Sequence, residues 1–249
     1  EAKSFFRPEI SHLHDPLLMK NMQKAVDRIQ TVISNGEKVL VYGDYDVDGT
    51  TSVAMMYSFL KKKVKEIEYY IPCRYDEGYG ISLKGIDYAK DNNFALIIAL
   101  DCGIRAVNQV DYANKKGVDF IICDHHNPGE KVPEAVAILN PKQIDCDYPY
   151  KELSGCGVGF KLIQAFSKQN NIDFSEIMEY LDLLTVSIGA DIVPMTGENR
   201  VFSFYGLQQI NKTPRVGLKA LMEVANKTKN VTITDVVFGV APRINAAGR

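Results

Sequence analysis

The chain has 249 residues, 46% hydrophobic and 24% charged, a globular composition that excludes disordered and fibrous classes and is long enough to bury a sizeable core. Its formal net charge of −2 excludes binding of nucleic acid through a generally basic surface, so phosphate contacts would need local positive charge, metal ions or a part of the protein outside this chain. Five cysteines without a Cys-x-x-Cys pair fit neither a disulfide framework nor a zinc ribbon and point to a reducing, cytoplasmic setting. No signal-peptide pattern opens the chain, and no apolar run approaches the roughly 18 residues that span a bilayer.

The elements follow in chain order. Leu17, Leu18, Met19, Met22, Ala25, Val26, Ile29 and Ile33 recur at helical spacing, with Asp15-Pro16 as cap and first position and Asn35-Gly36 as the end. Short apolar runs then alternate with helices. Strands are predicted at 39–42, 67–71, 96–100, 120–123 and 135–139, and helices at 50–63, 81–91 and 106–116. Continuous apolar strands separated by helices mean an α/β fold, a parallel sheet of about five strands covered on both faces. From Gly157 onward the pattern is mainly helical, with helices at 158–168, 174–190, 201–211 and 216–227 and a short strand at 230–233. One catalytic domain is expected over 1–249. Its α/β part covers 1–150, its helical part 151–240, and 241–249 begins a connection to a further domain.

The acids and histidines fall at strand ends. The first strand runs into Asp44-Tyr45-Asp46-Val47-Asp48-Gly49, the third into Asp101-Cys102-Gly103, and the fourth into Asp124-His125-His126. In an open parallel sheet, residues just past the carboxyl ends of the strands share one rim, where such folds bind ligands. So many anions on one rim repel each other unless cations sit between them. Carboxylates mixed with imidazoles suit Mn²⁺ or Mg²⁺. Two such ions would need one bridging carboxylate, for which Asp101 is well placed, while Asp46 and Asp48 could serve neighbouring ions. Asp191 closes an apolar helix just ahead of Pro194 and fits a ligand arriving from beyond the sheet. Each motif alone also has a bland explanation. Asp48-Gly49-Thr50-Thr51 could be a helix cap, Asp101-Cys102-Gly103 a turn, and His125-His126 a surface loop; their coincidence on one rim argues against all three. His12 and His14 lie near the N-terminus, off the rim, and read as structural or solvent-facing.

These motifs resemble the DHH phosphoesterase superfamily, with Asp191 in Ala-Asp-Ile-Val-Pro similar to its fourth motif. Four further segments, 5–19, Arg74 to Gly80, Leu153 to Val158 and Pro242 to Arg249, narrow the likeness to the superfamily's bacterial single-strand DNA exonuclease family. The resemblance implies two Mn²⁺ or Mg²⁺ ions bound by Asp46, Asp48, Asp101, His125 and Asp191, with Asp101 bridging. It also implies a supporting role for Asp124 and contact between His126 and the scissile phosphate. The implied activity is degradation of single-stranded DNA from its 5′ end in repair and recombination, with a single-strand-binding protein or repair helicase as a partner through parts outside this chain. Two departures stand out. Tyr42 occupies a position where many members carry a histidine, and Asp44 or water would have to fill that place. The family's second domain, with its glycine-rich histidine motif, would lie beyond Arg249.

Several residues are candidates for the substrate. Arg74 could hold a phosphate and Tyr79 stack on a base, the alternative for Arg74 being an ion pair with Glu77. Arg243, Asn245 and Arg249 are candidates for the same task. Ser154 and Gly155 precede a helix whose N–H groups could face a phosphate, or the glycine could serve tight packing. Rival readings are a phosphoesterase of short oligonucleotides or cyclic dinucleotides, and a non-catalytic DNA-binding relative.

Overall fold

The computed structural model describes residues 5–247. Five parallel strands form one sheet: β1 (Lys38–Gly43), β2 (Ile67–Tyr70), β3 (Phe94–Leu100), β4 (Asp119–Cys123) and β5 (Ala137–Leu139), in the order β2-β1-β3-β4-β5. Side chains alternate across a strand, and the alternation divides the core in two. Val39, Val41, Leu96, Ile98, Leu100, Ile121 and Cys123 point into one apolar cluster. Leu40, Tyr42, Ile97, Ala99, Phe120 and Ile122 point into the other. Burial on both faces is why these strands read as unbroken apolar runs.

The second cluster is closed by α3 (Leu83–Asp91) and α4 (Val107–Lys116). The first is larger and takes in α1 (Met22–Asn35), α2 (Val47–Leu60), α5 (Gly155–Gln169), α6 (Leu181–Ala190) and α7 (Gly197–Lys212). This apolar cluster runs without interruption from the sheet into the helical region, and α2 packs on both α5 and α6. The chain continues through α8 (Val216–Val224) and ends its described part in α9 (Ala241–Ala247).

Several local expectations change. Residues 230–233 form no strand. Thr232 accepts from the Asp235 N–H and the Asp235 carboxylate accepts from Thr232 N–H, a capping box that starts a helical turn at Ile233–Asp235, so the local start signal outweighs the β-branched residues. That turn runs into a π-helical stretch, Val236–Val240. The segment 174–190 is not one helix but a turn at Phe174–Ile177, a 3₁₀ turn at Met178–Tyr180 and then α6. The N-terminal helix begins at Met22 rather than after Asp15; Asp15 caps a 3₁₀ turn at Pro16–Leu18, and Asn21 at φ +64 redirects the chain. Finally, α2 starts at Val47, three residues earlier than expected, because the Asp46 carboxylate accepts from Gly49 N–H at 2.8 Å.

The strand order reverses direction between β1 and β3. Such a reversal opens a crevice outside the carboxyl ends of the two strands, and the loops after β1 and β3 carry Asp46, Asp48 and Asp101 to it.

Candidate metal centre

Asp48 enters the crevice from the first turn of α2 and is almost wholly buried. Its carboxylate is held from four sides. Gly155 N–H and Cys156 N–H donate at 2.7 and 2.8 Å, Ser187 Oγ at 2.7 Å and Ser52 Oγ at 3.4 Å. The start of α5 therefore spends its free N–H groups on a carboxylate of the same chain, as helix N-termini favour. Ser154 and Gly155 do not face a substrate phosphate as expected. Both are buried; Ser154 Oγ caps Gly157 N–H at 3.1 Å and meets Ser187 Oγ at 2.6 Å. Gly155 sits so close to Asp101 that an added Cβ would fall 2.7 Å from its Cα. Tight packing, the alternative for that glycine, is what the fold uses.

Asp101 follows β3 in the left-handed region, φ +60, which aspartate tolerates better than most residues. It is 1% exposed. His125, after β4, places Nε2 3.2 Å from Asp101 Oδ1, 3.6 Å from Asp191 Oδ2 and 3.8 Å from Asp48 Oδ2. Possible ligand atoms of Asp48, His125 and Asp191 all lie within 4.8 Å of one another, and so do those of Asp101, His125 and His126. Asp46 borders the same place: a cavity of about 140 Å³ is lined by Asp46, Val47, Asp48, Ala190, Asp191 and Asn245.

The electrostatics of this cluster are unbalanced. Burial, and then the charges of Asp48 and Asp46, push Asp101 well above the usual carboxylate range. Burial first and the same two neighbours second raise Asp191 to about 7. Asp46 is raised as well, chiefly by burial, whereas burial lowers His125. Asp101 Oδ1 and both ring nitrogens of His125 are buried without a hydrogen-bond partner; the 3.2 Å approach between them is not aligned as one. Buried polar atoms are normally partnered, so these orphans and the like-charged carboxylates fit a divalent cation among the five residues Asp46, Asp48, Asp101, His125 and Asp191. A mixed oxygen and imidazole set suits Mn²⁺ or Mg²⁺ better than a softer metal.

Asp124 stands behind the cluster as a brace. Its Oδ2 accepts from Ile104 N–H at 2.9 Å, and its Oδ1 from His125 N–H at 2.7 Å and His126 N–H at 3.1 Å, with His126 Nδ1 at 2.7 Å. Burial alone would raise this carboxyl, but the His126 contact and the backbone donors bring it below its ordinary value. The same contact raises His126. Asp124 thus ties the loops after β3 and β4 together and holds one nitrogen of His126, a half-buried ring at the edge of the cluster.

Tyr42 and Asp44 take structural roles. Tyr42 is fully buried in the sheet's other core, stacked on Tyr70 at 5.4 Å; its hydroxyl donates to Gly80 O at 2.9 Å and accepts from Ser82 N–H at 3.0 Å. Asp44 accepts from Tyr45 N–H at 2.7 Å and Gly80 N–H at 2.9 Å, and burial raises it to about 6. Both side chains fasten the loop before α3, so the place of the usual histidine becomes a loop anchor.

That loop forms a lip beside the cluster. Arg74 lies over the Tyr45 ring at 5.2 Å, and Tyr79 meets the same ring edge-on at 5.9 Å. Burial, followed by the Asp101 and Asp46 charges, raises the Tyr79 phenol. Glu77 does not pair with Arg74. It accepts from Cys73 N–H, Tyr70 OH and Ser82 Oγ instead, which leaves the arginine on the rim. A cleft of about 450 Å³ opens between Tyr79, Ile81, Ile104, Arg105, Gln109 and His126. Asn245 reaches the small acidic cavity, but Arg243 does not: its guanidinium folds back on Gly239 O at 2.6 Å and Val224 O at 3.3 Å, satisfying carbonyls of the C-terminal helical region. Arg249 lies outside the described residues.

Sequence reasoning missed Tyr45 in the lip and Ser187 behind Asp48. Ser187 was findable, since it precedes Asp191 by one helical turn and so shares its face. Tyr45 carried no signal beyond its place within the first motif.

Comparison with known proteins agrees with this geometry. Residues 38–188, more than half of the chain, match the model of the DHH family, N-terminal domain. A single-stranded-DNA-specific exonuclease RecJ from Bacillus subtilis (strain 168) is 41% identical over 250 residues, covering 100% of this chain and 31% of that protein. A crystal structure of exonuclease RecJ bound to manganese superposes with a TM-score of 0.85 at 30% identity, covering 96% of this chain and 59% of the other. RecJ in complex with Mn²⁺ from Thermus thermophilus gives 0.83 at 28% identity, covering 98% and 34%. The chain spans less than half the length of the curated relatives it matches. The matched span runs from the first residue of β1 almost to the end of α6 and contains Asp46, Asp48, Asp101, His125 and His126, with Asp191 three residues beyond it, and the chain belongs to the DHH family.

Proposed function

We propose that this chain is the metal-binding catalytic part of a phosphodiester hydrolase, an exonuclease that degrades single-stranded DNA from its 5′ end in repair and recombination. The observation that carries the reading is the cluster at the β1–β3 crevice, where buried carboxylates crowd one another and Asp101 and His125 keep unpartnered polar atoms. Asp46, Asp48, Asp101, His125 and Asp191 would hold two divalent ions, Mn²⁺ or Mg²⁺. Bound there, the ions supply Lewis acidity and neutralise the charge that builds on phosphoryl oxygens.

The chain's own side chains do the rest. Asp124 occupies Nδ1 of His126, so the other ring nitrogen is the one that can donate to the phosphate or the leaving oxygen, and the raised proton affinity favours the donor form. Arg74, held against Tyr45, offers a guanidinium fork to a phosphate. Tyr79 offers a ring for a base to stack on. The cleft beside His126 falls within the range of small-molecule sites and is the natural seat of the end of the strand. Asn245 adds an amide to the acidic cavity. The names of the curated relatives and the manganese in the similar crystal structures support this reading. No helix among the described residues is long and apolar enough to cross a membrane; a cytoplasmic location, and a single-strand-binding protein or repair helicase as partner, belong to the same proposal.

The test is cleavage of end-labelled DNA with Mn²⁺ present or chelated. Manganese-dependent shortening of single strands from the 5′ end is expected, with duplexes and cyclic dinucleotides turned over more slowly. Faster turnover of dinucleotides would replace the substrate assignment, and no metal-dependent cleavage of any phosphodiester would overturn the hydrolase.

A further inference from the structure

Asp48 and Asp191 meet at the cluster, and the helical region holds them through two segments, the start of α5 and the end of α6. Asp48 accepts from Gly155 and Cys156 at the start of α5 and from Ser187, one turn before Asp191 on α6. Asp191 sits at the end of α6, on a turn whose next residue, Ile192, takes φ +57. A β-branched side chain in the left-handed region is strained and persists only where its surroundings over-determine it.

Ser154 and Ser187 already join these segments at 2.6 Å, and a further buried side chain ties the stretches that flank them. Asn199, in the first turn of α7, is 0% exposed. Its Nδ2 donates to Glu152 O at 2.6 Å and to Pro194 O at 3.1 Å. Glu152 lies three residues before Gly155, and Pro194 three residues after Asp191. Tyr150 adds to the clasp, its hydroxyl 2.8 Å from Thr196 O and 3.2 Å from Pro194 O. Gly197, at φ +47, lets the Tyr150 ring lie flush against the turn, where a Cβ would come within 2.6 Å of it. Neither Asn199 nor Tyr150 is among the residues assigned above to metal or substrate.

We infer that the Asn199 carboxamide, by tying the Glu152 and Pro194 carbonyls together, supports the Asp48–Asp191 spacing alongside the direct Ser187 link and is a positioning residue for the cation site. The inference rests on the metal reading above. Residues that orient metal ligands typically change metal affinity about 10–100-fold when removed.

The test measures Mn²⁺ binding by electron paramagnetic resonance of the free ion, the melting temperature in chelator, and the Mn²⁺ dependence of cleavage. Asn199→Ala is expected to weaken Mn²⁺ binding about 10–100-fold and to raise the Mn²⁺ concentration for half-maximal rate by the same factor, with the rate largely restored at saturation. The matched control is Asn211→Ala on the same helix. That carboxamide bonds Leu207 O, Val231 O and Val231 N–H, away from the cluster, and its loss should lower the melting temperature without moving Mn²⁺ affinity. Unchanged affinity in Asn199→Ala, or an equal loss in Asn211→Ala, overturns the inference. Should Asn199→Ala not fold, Tyr150→Phe, which removes only the hydroxyl, decides: weaker Mn²⁺ binding supports the clasp and unchanged binding overturns it. If the unaltered protein takes up no Mn²⁺, it is the metal reading that fails.

Discussion

Two buried polar groups in this molecule are built on opposite principles. One joins Lys161 of α5 and Glu198 of α7, both essentially without exposure. Lys161 Nζ donates to Glu198 Oε1 at 3.0 Å and to His14 O at 2.8 Å, while Glu198 accepts from Tyr148 OH at 2.6 Å and His14 N–H at 3.1 Å. Charge meets opposite charge, and the donors and acceptors are matched. The other is the cluster at the crevice, where carboxylates face carboxylates and buried nitrogens lack partners. A buried pair that satisfies itself is a staple, here fastening the His14 segment to the helical region. A buried cluster that sets carboxylate against carboxylate and leaves its imidazole nitrogens without partners is suited to receive a cation.

Three experiments put that contrast at risk, the largest effect first. Asp101→Asn suits the left-handed backbone equally well and removes one crowded carboxylate. Metal-dependent cleavage should fall about a thousandfold or more, roughly 4 kcal/mol of barrier, while the melting temperature in chelator stays level or rises. A clear drop in chelator would mean that the cluster is structural after all.

Next comes Lys161→Ala, which strands the Glu198 carboxylate in the interior and should cost about 3–5 kcal/mol in urea unfolding. Replacing both partners, Lys161→Met with Glu198→Leu, should recover much of that loss. If the single variant were nearly neutral, the pair would not be a staple.

The smallest effect is a ligand shift. Mn²⁺ at a hundredfold its dissociation constant should stabilise the unaltered protein by about 2.7 kcal/mol, seen as a raised melting temperature. The same shift should appear in Lys161→Ala, where the crevice is untouched, and vanish in Asp101→Asn. A lost shift in Lys161→Ala would show that the two groups are coupled.

Much of this was legible in the chain itself. Strand positions, the parallel sheet and the rim that receives Asp46, Asp48, Asp101 and His125 follow from periodicity and from which residue comes next, and those are local properties. Asp191 could be read in the same way, as an acid that ends an apolar helix. Tertiary structure alone decided what each polar group would meet. The donors that hold Asp48 come from Gly155, 107 positions away, and from Ser187, 139 positions away. For that reason the helix start at Ser154–Gly155 looked open to a phosphate when an internal carboxylate already fills it. Arg243 likewise looked available for a substrate until its guanidinium was seen bonded to Val224 and Gly239 carbonyls. Tyr42 looked like a missing ligand and is the anchor of a loop. Hydrophobic spacing records which face of an element is buried, but a hydrogen bond depends on a partner whose distance in space bears no relation to its distance along the chain.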